Sequence, residues 1–164
     1  MFLLKKSLIF VVVFMKAFKQ HIINTCLNYL TQKVNGLNAI IREVNDAANA
    51  ESKSSAGDKH ETAKAMAQLE QEKLGNQLKE AELQLIEFNK YDFTKESAVI
   101  SLGSLIETNK GYFLIASSIG KIEVDGKAVF VISNKSPLAI AFIGKKQKDT
   151  VSFNAIEYVI NSIY

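Results

Sequence analysis

Tryptophan is absent from the 164 residues, cysteine and proline occur once each, and there are two histidines. The lone Cys26 rules out an intrachain disulfide and a cysteine metal cluster. It falls on an apolar helical stripe, where a free thiol acts as a small hydrophobe. His21 and His60 are far apart in sequence and share no ligand spacing with carboxylates, so no zinc scaffold is visible. Neither GxxxxGK[ST] nor GxGxxG occurs, which removes the two common phosphate-cradling loops. An excess of one sign of charge is also small: the net charge of +3 does not by itself announce a nucleic-acid binder, whose basic residues would dominate a face, and the distribution of charge must decide. What remains, 48% apolar and 23% charged residues, is globular composition. The length suits one ordinary domain, or a helical element with a small second domain.

With no proline before Pro137, nothing interrupts a helix in the first half of the chain. Residues 1–15 form an apolar leader. Lys5 and Lys6 ahead of Leu8 to Phe14 imitate a signal peptide, but no small-x-small cleavage site follows. The run is also shorter than the roughly 20 residues a spanning helix needs. An extension ahead of a true start at Met15, a packing segment and an export signal are the three accounts of it.

From Lys16 to about Ala50, Ile23, Cys26, Leu30, Val34, Leu37, Ile41, Val44 and Ala48 recur at spacings of three and four, the signature of a helix. A helix of about 35 residues extends roughly 50 Å. Glu51 to Gly57 reads as a turn. Met66, Leu69, Leu74, Leu78, Ala81, Leu85 and Phe88 then mark a second helix, with a slip in register between Leu69 and Leu74. Two stripes of similar length joined by a short loop bury each other by folding back antiparallel, so residues 16–89 are expected to form a coiled-coil hairpin with its tip near 51–61.

Residues 90–97 read as a linker, and from 98 to 164 the pattern turns β-branched and aromatic. Strands are expected at Val99–Leu102, Leu105–Thr108, Tyr112–Ala116, Lys121–Val124, Ala128–Ile132, Thr150–Phe153 and Tyr158–Ile163. Asp125-Gly126 is a hairpin turn signal. A short helix is expected over Pro137–Ile143, with Ser136 as its cap and Gly144 at its stop. The fold class is therefore α+β.

The chemistry concentrates at the tip, where Asp58 and Glu61 stand three residues apart at the start of the second helix and so share a face. The same spacing makes a capping box, which closes a helix end without any further role. Lys145, Lys146 and Lys148 form a second, basic cluster; solvated surface and contact with nucleic acid or an acidic protein are both open to it.

Gly57, Asp58, Glu61 and Ala63 reproduce the tip pattern of the bacterial Gre transcript-cleavage factors (the GreA/GreB-like elongation factors), which the chain resembles in both halves. Ile132-Ser133-Asn134-Lys135-Ser136-Pro137-Leu138-Ala139, with Ala141, Ile143-Gly144-Lys145 and Asp149-Thr150-Val151, is similar to that family's FKBP-like C-terminal domain. The chain departs from the pattern at Thr62, at Lys64-Ala65, and at Lys148, where a glycine is usual and a different turn is expected.

The resemblance implies a factor whose coiled coil enters the secondary channel of RNA polymerase while the globular domain docks on the rim. Asp58 and Glu61 would then be catalytic in trans and Mg²⁺ ligands only in the complex, so that the polymerase cleaves a backtracked transcript. Ser136, Pro137, Gly144, Lys145 and Lys146 would contact the partner. The chain would be no enzyme and hold no cofactor alone, and would act as a cytoplasmic monomer that meets nascent RNA indirectly and no membrane. The competing readings are a channel-blocking inhibitor without cleavage activity, a structural coiled-coil interaction protein, and a prolyl isomerase, for which no substrate cleft is readable.

Overall fold

The computed structural model describes residues 2–51 and 59–164. Two long helices, α1 (Phe2–Glu51) and α2 (Lys59–Asn89), precede β1 (Leu105–Thr108), β2 (Gly111–Ala116), β3 (Gly120–Val124), β4 (Lys127–Ser133), α3 (Pro137–Phe142), β5 (Thr150–Phe153) and β6 (Ile156–Ile163). The chain is α+β, with long helices followed by one six-stranded mixed sheet in the order β3-β4-β2-β1-β6-β5. It divides into two compact units: Met1–Leu27 with Glu87–Tyr164, and Asn28–Ile86.

In the sheet unit, β2 and β4 run parallel and every other neighbouring pair is antiparallel. Alternation along β2 splits its side chains between two faces. Phe113 and Ile115 join Ile106, Tyr158 and Ile160 against Ala139 and Phe142 of α3. The Phe113 ring lies 5.2 Å from Phe130, 5.4 Å from Phe142 and 5.7 Å from Tyr158, offset and edge-on distances that aromatic rings favour. Leu114 belongs to the opposite face, in register with Leu105 and Val131, and all three are buried.

The buried residues Met15, Phe18, Ile22 and Cys26 of α1, spaced by three and four, form the apolar layer on that second side. Phe18 meets Tyr112 edge-on at 5.2 Å. Lys127 lies over the rings of Phe14, Phe18 and Tyr112 at 5.3, 4.9 and 5.1 Å, a cation enclosed by three π faces. Burying a side chain such as Phe18 contributes about 1.5–3 kcal/mol.

The turns follow their residues. Asp125 and Gly126, at φ 51° and 71°, are both left-handed, as a two-residue turn of the I′ kind requires between right-twisted strands. Ser136 caps α3, its Oγ accepting from the Ala139 N–H, with Pro137 in the first turn and Ile143 as the C-cap.

Two expectations for the sheet unit need correction. Val99–Leu102 is not a strand: Val99 makes a single bridge to Lys146, and the Ile100 main chain exchanges hydrogen bonds with Gly144 and Lys145. Gly103, at φ 80°, then turns the chain so that Ser104 N–H reaches Ser101 O. A Cβ at Gly103 would lie 3.2 Å from the Asp92 carbonyl oxygen, so close backbone approach as well as φ calls for glycine there. Lys148 does not redirect its turn. It adopts φ 75°, the left-handed geometry a glycine would take, and its N–H donates to Ile160 O.

In the helical unit, Leu30 is buried and Val34, Leu37, Ile41 and Val44 are half-buried along α1, as their spacing predicts. The stripe of α2 differs from expectation. Ala67, Gln71, Leu74, Leu78, Ala81, Leu85 and Phe88 are shielded, at unbroken spacings of four and three, with Gln84 half-buried beside Leu85. Met66 and Leu69 are each 67% exposed. There is therefore no slip in register. Lys33 donates to Gln84 and Gln71 to Asn45, so pairing partners fall on α2 as they rise on α1.

Candidate functional site

Three places gather chemistry-bearing residues. The first is the segment between the long helices. Asp58 lies outside the described residues; α2 begins at Lys59, which makes Glu61 its third residue. That position is where a capping-box carboxylate stands, and also where an anion is favoured by the helix dipole. Among the described residues, no group of three or more His, Cys, Asp or Glu could hold a metal. Carboxylates are the hard oxygen donors that Mg²⁺ takes, but two of them leave most of an octahedral shell to other donors.

The second place flanks α3. Ser136 and Pro137 sit at its first turn and Gly144, Lys145 and Lys146 just beyond its end. Much of their polar capacity is committed to the fold. Ser136 Oγ is the cap, Gly144 N–H donates to Ile100 O, Lys145 O accepts from Ile100 N–H, and Lys146 N–H donates to the Asp149 carboxylate. The Lys145, Lys146 and Lys148 side chains are exposed, and so are the apolar Ile140 and Ile143. The two ends of α3 thus present exposed, mixed basic and apolar surface rather than a cleft.

The third place was not anticipated. A groove of about 660 Å³ in the sheet unit is lined from α1 by Val12, Lys16, Lys19, Gln20 and Ile23, and closed by residues 93–98 with Ile163 and Tyr164. Lys19 is only 7% exposed, and its Nζ donates to the main-chain oxygen of Tyr164 at 2.9 Å. Burial pulls its ammonium down from 10.5 to about 8, against the opposing pull of Asp92 and Glu96. Both carboxylates are engaged elsewhere: Glu96 pairs with Lys16 at 2.7 Å, and Asp92 accepts from the Thr94 N–H and hydroxyl. Those bonds hold both carboxyls below the usual carboxylate range. The sequence did carry a signal, since Lys19 stands at the stripe spacing Met15, Lys19, Ile22, Cys26, a cation on an apolar face.

Beside the groove, Glu107 accepts from the hydroxyls of both Tyr112 and Tyr164 at 3.2 Å. Burial first, then the Glu107 charge, raises the Tyr112 phenol, and both also act to raise that of Tyr164. Cys26 is fully buried and its thiol is pushed up to about 12 by desolvation, which leaves it without thiolate character at neutral pH. No helix among the described residues is long and apolar enough to cross a membrane.

No protein-family model matches the chain, and no curated protein does. Among solved structures, one described as that of the transcription factor Gfh1 is similar at 17% identity and a TM-score of 0.35, over 84% of this chain and 92% of that one. A likeness of that size carries no weight in assigning a function.

Proposed function

We propose that the chain is a transcription elongation factor that binds RNA polymerase through its secondary channel and promotes cleavage of backtracked transcripts. In this reading α1 and α2 form a coiled-coil hairpin and the sheet unit is an FKBP-like domain that docks outside the channel. What supports it is the Gly57-Asp58…Glu61 motif, which in the sequence spans the end of the stretch between α1 and α2 and the first turn of α2. The two helices are bridged by exposed hydrogen bonds, Gln71 to Asn45 and Lys33 to Gln84. In this reading the connecting segment presents its carboxylates to another protein's site.

Asp58 and Glu61 would hold the second Mg²⁺ of the polymerase, which supplies charge neutralisation and an activated water for phosphodiester hydrolysis. The chain contributes oxygen donors and their orientation, and is no enzyme by itself. The α3 flank, with Ser136, Pro137, Gly144, Lys145 and Lys146, is the surface that meets the partner.

The test uses stalled, backtracked elongation complexes. Short 3′ fragments should be released with the intact protein, while Asp58→Ala and Glu61→Ala should each lower release by tenfold or more and leave polymerase binding unchanged. Binding with no release would identify a channel-blocking inhibitor, the reading that the departures at Thr62, Lys64 and Ala65 favour. Failure of the folded protein to bind polymerase would overturn both.

A further inference from the structure

We propose that α1 around residues 11–14 is a docking surface for an anionic phospholipid bilayer, its apolar side chains entering the headgroup boundary and the basic residues of the helix meeting lipid phosphates. This does not depend on the polymerase reading, and it departs from the expectation that the chain meets no membrane.

Val11, Val12, Val13 and Phe14 are each between 43% and 62% exposed. Successive helical residues point about 100° apart, so these four cover the whole circumference of α1 at that level. A helix that is apolar on every side ordinarily lies in a core or in lipid. Met15 and Phe18 are buried, so α1 is anchored in the sheet unit where the apolar exposure stops. In the sequence the apolar run extends from Leu8 to Phe14 without a polar residue, about 10 Å of helix. That is too short to span a bilayer, and a short apolar run set between lysines suits a segment held at the interface.

Charge selects the occupant. The chain has no acidic residue before Glu43, whereas Lys5, Lys6, Lys16, Lys19, Lys33 and Arg42 are basic. Lys16 pairs with Glu96 at the surface and Lys19 is buried on the Tyr164 main-chain oxygen, while Lys5 and Lys6 precede the apolar run in the sequence. A second copy of the chain fits this surface less well. Two such ends would oppose lysine to lysine, and a helix seated on a protein keeps a polar stripe outward, which residues 8–14 lack. A bilayer boundary accepts apolar side chains from every side, and its phosphates take the cations at either end of the run.

The experiment is flotation of the full chain with vesicles of phosphatidylcholine, alone or mixed equally with phosphatidylglycerol. Binding to the mixed vesicles should exceed binding to the neutral ones about fivefold in about 0.1 M salt, and the difference should fade by about 1 M. Val11→Glu combined with Val13→Glu should lower binding about tenfold, with circular dichroism checking the fold. Val13→Trp supplies the chain's first tryptophan, whose emission should shift to the blue on the mixed vesicles, while that of Leu69→Trp, at an exposed position of α2, should not. The Val13→Trp measurement keeps the test decisive if the double variant misfolds. Absence of flotation, equal binding to neutral vesicles, an unshifted Val13→Trp emission or unchanged binding of the folded double variant would each overturn the proposal. A blue shift that needs no vesicles and grows with protein concentration would identify a second copy of the chain as the occupant, and would overturn it too.

Discussion

Ala155 occupies φ 60° and its neighbour Asn154 φ 50°, so the two-residue turn joining β5 and β6 has the same left-handed pair of residues as Asp125-Gly126. Asparagine tolerates that region, whereas alanine is strained there by its Cβ. Ala155→Gly should therefore stabilise the fold by about 1 kcal/mol, read as a higher midpoint of denaturant unfolding with unchanged slope. Lys19 carries a cost of another kind. Its proton is held less tightly in the folded chain, at about 8, than at the ordinary 10.5 of an unfolded chain. Below pH 8 both states are protonated and the full desolvation penalty stands. Between 8 and 10.5 the unfolded chain binds more protons, so this residue makes stability rise with pH; above 10.5 the gain is complete. Compared with the wild type, Lys19→Met should be more stable at pH 7 by on the order of 2 kcal/mol, and the gap should narrow by pH 9.5. Urea titrations of both proteins at the two pH values check this.

At the scale of elements, Leu69 and Leu74 are the same residue in two environments, the first 67% exposed and the second 6%. Leu74→Ala should cost about 2–4 kcal/mol, and Leu69→Ala less than about 0.5. Thermal unfolding of the two variants measures the phase of the helix directly. That phase was only partly legible in the sequence. Hydropathy picks out apolar residues but not the face they share, so Met66 and Leu69 drew the stripe off line. Ala67 and Gln71, weakly apolar and polar, continue the true spacing back from Leu74. The strands were more readable, because alternation, Asp125-Gly126 and the Ser136-Pro137 helix start are local signals. Val99–Leu102 misled because Gly103 ends the pairing after one bridge, and a β-branched run does not announce its own partner.

For the molecule as a whole, the two candidate sites differ in how far sequence reaches them. The tip pair is contiguous in the chain, so motif and spacing alone single it out. The groove is assembled from α1, residues 93–98 and the last two residues of the chain, and distance along the chain hides it; Lys19 on an apolar stripe was its only trace. The unbroken three-and-four spacing of both long helices has one more consequence. Seven residues return a helix of this kind to the same face, so the paired segment is a ruler graduated in units of seven, each about 10 Å long. Removing residues 37–43 together with 74–80 takes one graduation from each side and brings equivalent faces back into opposition. On the proposed function, such a variant should unfold cooperatively and still bind polymerase, yet release no transcript fragments, because its carboxylates would stop about 10 Å short. Removing four residues from one helix alone should instead abolish cooperative unfolding of the pair. On the proposed function, reach and chemistry would be separable quantities: helix length would set the first, and two side chains would carry the second.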